Sequence, residues 1–248
     1  MGTSPSFLFR KLLADLPRGQ PLTTRRLAES GLSAKQAARL ARDGWLTRIG
    51  HGMYLLPGDK LDRDASLAVL AQLVPGLHVG GKTALAWRGV QHNVGFRQLL
   101  TLWGDKPVKL PVWFTDAFQA HYQATHIFDD DLPDGLGLAP MPSGRNDVLV
   151  STPERAMLEL LSDVGKGQGL EEARHLLEGV RSPRLPVLEQ LFQHLNRIKV
   201  ARLADVLSED LDLPWKDVAR RHSERMGGGS RWVSTTKTGD RLDLKRPK

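Results

Sequence analysis

Residues Gly76-Leu77-His78-Val79-Gly80-Gly81-Lys82-Thr83 spell G-x-x-x-x-G-K-[ST] letter for letter. In a working P-loop this octet follows a buried strand and opens a helix. Its amides cradle phosphates, its lysine reaches the terminal phosphates and its hydroxyl holds Mg²⁺. Here the preceding run, Asp64 to Val74, is alanine-rich with apolar residues at 67, 70, 71 and 74, which is the period of a helix. The parse that fits is a short strand at Leu77–Val79, a turn at Gly80-Gly81 and a helix over Lys82–Arg88. Lys82 stays of interest as an anion contact. Other sets with chemical potential are thinner. Asp129-Asp130-Asp131 lacks the alternating ligands of a calcium loop and reads as a solvated turn. His121 and His126 stand five apart, on no common face of a helix or strand. Asp243-Leu244-Lys245 resembles only the last piece of a Mg²⁺ nuclease pattern. No Gly-x-Ser-x-Gly or His-Glu-x-x-His set occurs. The sequence therefore assigns no catalytic residues, metal or cofactor.

A second pattern concerns recognition. Lys35, Arg39 and Arg42 recur at i, i+4 and i+7 and share one helical face, with Gln36 beside them. Arg and Lys reach guanine edges or phosphates, and Gln pairs with adenine. On an isolated helix such a row is also an ordinary solvated face, so the neighbouring elements decide. Ser33-Ala34-Lys35-Gln36 is a capping box that opens this helix, which runs to about Asp43-Gly44. Before it, Thr23 or Thr24 caps a helix over Arg25–Ser30 that ends at Gly31, so only Gly31 and Leu32 separate the two. That spacing is helix-turn-helix. An amphipathic helix is predicted over Ser6–Leu16. After the recognition helix, Trp45–Ile49 and Met53–Leu56 form a predicted hairpin around Gly50-His51-Gly52, that is, a wing. Ser33, Lys35, Gln36, Arg39 and Arg42 on the recognition helix, Arg48 and His51 on the wing, and Arg25 and Arg26 on the preceding helix are the candidate contacts to double-stranded DNA.

The rest of the chain reads as α+β. Strands are predicted at Leu99–Trp103, Val108–Phe114, Thr125–Phe128, Leu136–Ala139 and Val148–Val150. Thr152-Pro153-Glu154 starts a helix, and further helices follow at Leu170–Gly179, Leu185–Asn196, Val200–Glu209 and Trp215–Arg225. Arg231–Thr235 and Arg241–Leu244 form a terminal hairpin. The predicted division is a winged helix-turn-helix domain over 1–60 and an α+β domain over 61–248, within which 151–226 can stand as a helical subdomain.

The chain has 248 residues, 25% of them charged, and no cysteine. Disulfides, thiolate nucleophiles and Cys-containing zinc fingers are excluded. No stretch is apolar enough for a membrane span, and the start lacks a secretory signal, so the expected location is the cytoplasm, away from any membrane. The net charge of +7 is unevenly spread. Residues 1–60 hold ten Lys/Arg against four Asp/Glu, residues 61–215 fifteen against twenty, and residues 216–248 ten against four. A basic end of this kind is what a polyanion meets first. Lys237, Arg241, Lys245, Arg246 and Lys248 make a second basic surface.

Three runs occur in order behind the winged-helix segment. They are Trp45 to Pro57, His78-Val79-Gly80-Gly81-Lys82-Thr83-Ala84-Leu85-Ala86-Trp87-Arg88-Gly89-Val90, and Val150-Ser151-Thr152-Pro153-Glu154-Arg155-Ala156-Met157-Leu158-Glu159-Leu160. With the ending Lys237 to Lys245, this order resembles the AbiEi antitoxins, the transcriptional-regulator half of type IV abortive-infection toxin–antitoxin systems. The resemblance implies a winged helix followed by a mixed α/β antitoxin domain. It implies repression of the chain's own operon through promoter inverted repeats, and neutralisation of a nucleotidyltransferase toxin without a required stable complex. Defence against phage is the associated process, and the family carries over no catalytic residue. The alternatives are a DNA-binding regulator whose C-terminal domain senses a ligand or protein, and a P-loop NTPase or Mg²⁺ nuclease.

Overall fold

The computed structural model describes residues 15–90 and 99–227, together with the backbone of the strands at 231–235 and 241–245. The helix expected over Ser6–Leu16 falls almost wholly outside the described residues. The chain divides into two compact units. One takes residues up to Val74 together with Lys109–Gln119, and the other takes Pro75–Val108 and everything from Ala120.

In the first unit, strand β1 (Leu22–Thr23) leads into helix α1 (Thr24–Glu29), and helix α2 (Ala34–Arg42) follows after a short turn. The Thr23 hydroxyl caps α1 by accepting from the Arg26 amide at 3.0 Å. Gly31 takes φ +86°, the left-handed turn that sends the chain from α1 into α2. Strands β2 (Thr47–Gly50) and β3 (Met53–Leu55) form the wing. The sheet order is β1-β3-β2, all antiparallel. The sequence did not point to β1, whose two residues are too few to show an alternation. Of the glycines at the wing tip, Gly52 alone has positive φ, at +64°. The pairing shifts register between Arg48 and Gly50. Leu16, Leu22, Leu27, Leu32, Ala37, Leu40, Leu46, Tyr54 and Leu56 pack as one core beneath these elements. Helix α3 (Arg63–Leu73), capped by Asp62, closes the run.

The second unit is built on a five-stranded mixed sheet. Its strands are β4 (His78–Val79), β5 (Leu100–Trp103), β6 (Ala120–Gln123), β7 (Leu138–Pro140) and β8 (Leu149–Ser151), in the order β6-β5-β4-β8-β7. Pairs β5/β6 and β4/β8 are parallel. Helix α4 (Gly81–Trp87) follows β4. Helices α6 (Pro153–Asp163), α7 (Leu170–Glu178), α8 (Leu185–Gln193), α9 (Ile198–Asp210) and α10 (Lys216–Met226) follow the sheet, and strands β9 (Arg231–Thr235) and β10 (Arg241–Lys245) pair as the terminal hairpin. The fully buried Trp215 anchors the helices, its indole N–H donating to the Val180 carbonyl at 2.9 Å.

Two predicted strands are corrected. Val108–Phe114 is not extended in a sheet: Pro111 caps the short helix α5 (Val112–Thr115). Pro107 and Pro111 each remove a ladder donor, so this stretch has little to offer a sheet. The strand expected at Thr125–Phe128 lies at Ala120–Gln123 instead, and Phe128 makes a single bridge to Leu195. As an edge strand with mostly polar residues, β6 carries little apolar alternation to read.

Candidate nucleic-acid interface

Helix α2 begins with a closed capping box. The Ser33 amide donates to Gln36 Oε1 at 2.8 Å and the Gln36 amide donates to Ser33 Oγ at 3.3 Å. This fixes the start of the helix. It also engages the side-chain oxygen of Gln36, so the Nε2 amino group is the end of that side chain left to donate. Ala37 and Leu40 face the core, and Lys35, Arg39 and Arg42 stand exposed on the opposite side. Arg39 Nε lies 4.0 Å from Asp43 Oδ2. On α1, Arg25 and Arg26 flank Glu29 at 3.5 and 3.3 Å. Exposed pairs of this sort contribute little, so these guanidinium groups exchange a carboxylate for a phosphate at small cost. On the wing, Arg48 Nε donates to the Gly50 carbonyl at 3.2 Å and His51 is exposed at the tip.

A groove of about 860 Å³ runs between these elements. Arg25, Arg48 and His51 reach into its lining, as do Ala34 and Ala38 of α2. Among the described residues, no aspartate or glutamate lines it. Lys35, Arg39 and Arg42 are not among its lining residues and form a separate row on the same helix. Sequence reasoning found the basic residues. It missed Ala34 and Ala38, whose small side chains leave space beside the wing, and it missed Pro111, Val112 and Trp113, which line the groove from a distant part of the chain.

The P-loop-like octet has a different use. Strand β4 and helix α4 occupy the expected places, but each nucleotide-binding role is taken by protein. At the start of α4 the Gly81 amide donates to Glu159 Oε2 at 3.0 Å, so a buried carboxylate sits where a phosphate would. Glu159 also accepts from His78 Nε2 at 2.9 Å, Arg155 Nε at 2.9 Å and Ser151 Oγ at 2.8 Å. Burial works to raise its pKa, but His78, Arg155 and the Gly81 amide hold it at about 2. Lys82 reaches Glu172 at 3.4 Å. The Thr83 hydroxyl donates to the Leu99 carbonyl at 3.1 Å and accepts from the Thr101 amide at 2.8 Å, pinning the edge of β5 instead of a metal. The loop thus ties α4, α6 and β5 together.

Asp129 of the acidic triplet accepts from His194 Nδ1 at 2.8 Å. Among the described residues no group of three His, Cys, Asp or Glu side chains is placed to hold a metal, and no helix is long and apolar enough to cross a membrane. The side chains of the terminal hairpin, Asp243 and Lys245 included, lie outside the described residues.

These features define a two-unit protein with an N-terminal winged helix-turn-helix and a mixed α/β unit behind it. Residues 7–96 match the family model of the transcriptional regulator AbiEi antitoxin N-terminal domain, and residues 97–244 match that of the transcriptional regulator, AbiEi antitoxin, of type IV toxin–antitoxin systems. The chain belongs to the AbiEi antitoxin family. No curated protein matches it. Among solved structures it is similar to the RV2827C protein from Mycobacterium tuberculosis, with a TM-score of 0.60 and 17% identity, covering 90% of this chain and 82% of that one. That likeness is one of fold.

Proposed function

We propose that this antitoxin represses its own operon by binding promoter inverted repeats through the winged helix, and that it neutralises a cognate nucleotidyltransferase toxin. The observation that carries the DNA reading is the basic row Lys35, Arg39 and Arg42 on α2, standing beside a groove that Arg25, Arg48 and His51 line and that, among the described residues, no carboxylate enters. The α2 row supplies major-groove and phosphate contacts, and the wing grips the adjacent strand. Family membership supports the toxin half of the reading. The protein acts as a regulator, with no catalytic group assigned to it.

The test is a promoter-reporter assay paired with toxin co-expression. Lys35→Ala and Arg39→Ala are expected to weaken operator binding by about 1 to 3 kcal/mol each where the side chain reads a base, or to flatten the salt dependence where it holds phosphate. Repression of the reporter falls in step. Rescue from the toxin is expected to survive both changes, because neutralisation is proposed for the C-terminal part and both substitutions lie in the winged helix. Unchanged repression by both variants contradicts the recognition-helix assignment, and no rescue by the wild-type chain contradicts the antitoxin assignment.

A further inference from the structure

Strands β5 and β6 are parallel neighbours of the second unit, with Thr101 opposite His121. The chain between them does not stay in that unit: Lys109–Gln119 belongs to the first. This strap buries Leu110, Trp113 and Phe114 there. The Trp113 and Phe114 rings meet edge to face at 5.7 Å, and Phe114 meets Phe118 at 5.2 Å. The indole of Trp113 closes on the wing: a Cβ built on Gly50 would stand 3.3 Å from Trp113 Cδ1. Pro111, Val112 and Trp113 then form one wall of the groove, whose other walls come from the start of α1, α2, the wing and the end of α3. Val112 is 61% exposed there, so its side chain is presented at the groove and not packed in the core.

We propose that the strap is a third DNA-contacting element, and that one sugar–phosphate strand seats in the groove with Val112 against it while Trp113 holds the wing at the height this requires. The charge pattern selects the occupant. Arg25, Arg48 and His51 line the groove, and among the described residues no carboxylate does, Asp116 of the strap included. Ala34, Ala38, Gly50 and Gly52 keep the groove open to a close-lying backbone, and a valine methyl suits the apolar face of a deoxyribose. A polyanion fits this lining and an acidic face of another protein is the competing occupant. The inference rests on the DNA reading above.

Charge placed at Val112 tests it without touching the core. Full-length wild-type, Val112→Glu and Val112→Lys chains are titrated against the upstream promoter duplex and a scrambled duplex at two salt concentrations, with thermal melts to confirm equal folding. The expected result is promoter affinity about three- to tenfold lower for Val112→Glu and higher for Val112→Lys, with the salt dependence steeper for Lys than for Glu. A second pair addresses the wing. Trp113→Ala is expected to lose the affinity contributed by the wing, and Trp113→Phe to recover most of it. Wild-type preference for the promoter with both Val112 variants unchanged overturns the strap proposal and leaves the recognition helix standing. Absence of any promoter preference in the wild-type chain overturns both.

Discussion

Of the three buried carboxylates on helix α6, Glu154, Glu159 and Asp163, the last two are shifted in opposite directions. Glu159 has four donors and a pKa held at about 2, below the 4.5 of a free glutamate. A depressed carboxylate stabilises the fold above its unfolded pKa and loses that contribution as pH falls toward its folded value. Glu159 therefore supports the fold above pH 4.5 and ceases to between about 4.5 and 2, a change of about 3 kcal/mol. Replacing it by Gln strands Arg155 without its counter-charge and takes an acceptor oxygen from the cluster that binds His78, Ser151 and the Gly81 amide. Glu159→Gln is expected to lower stability by about 3 kcal/mol at neutral pH in denaturant melts and to flatten the acid limb. Equal stability at pH 7 would contradict the role given to it. Asp163 is the reverse case. Burial raises its pKa to about 6, against the opposing pull of Lys166, Lys199 and Lys82, and Gln123 Nε2 donates to it at 2.6 Å. The folded state favours its protonated form, so the cost of ionising it is absent below about pH 3.8 and complete above about pH 6. Asp163→Asn keeps the acceptor for Gln123 and is expected to stabilise the protein by up to about 3 kcal/mol at pH 7 and by nothing near pH 3.5. A gain that is the same at both pH values would refute this.

At the scale of elements, α2 depends on its cap. Ser33→Ala is expected to cost about 1 kcal/mol in melting experiments, by freeing the Gln36 amide and opening the box. DNA affinity then falls through fraying of the helix and loss of the contact proposed for Ser33, and less than in Arg39→Ala. Helices α1 and α2 and their turn were legible in the sequence because caps, a left-handed glycine and a helical period all act locally. The helices from Pro153 onward were legible for the same reason, and the predicted bounds agree to within a few residues. The strap was not. Val108, Leu110 and Val112 alternate as a strand would, and only the packing of Leu110, Trp113 and Phe114 into a unit distant in sequence explains why the segment turns helical. The site divides along the same line. Basic side chains announce themselves by type and spacing. The groove's small residues and the Val112–Trp113 wall act through where the fold brings them, which no local pattern records. The P-loop octet is the converse: its letters are complete, and Glu159, from a helix far along the chain, occupies its anion position.

Across the whole molecule, charge and chain path agree in setting the first unit apart. Its first sixty residues hold ten Lys/Arg against four Asp/Glu, while the stretch from 61 to 215 is acidic in balance. Residues 216–248 are basic as well, so a polyanion meets positive charge at either end of a chain that is acidic in its middle, and the winged helix adds the geometry of a groove reader to one of them. The chain leaves the first unit after Val74, returns to it for Lys109–Gln119, and leaves again, so the second unit owns the strands on which the strap is strung. The most direct test of the central claim, that the first unit reads operator DNA, is a binding titration of the full-length protein. Its upstream promoter fragment and a scrambled control of equal length are compared at two salt concentrations. The account predicts a preference for the promoter of roughly a thousandfold or more, with affinity falling steeply as salt rises. Equal, weak binding to both duplexes would contradict it and reduce the basic face of α2 to non-specific surface charge.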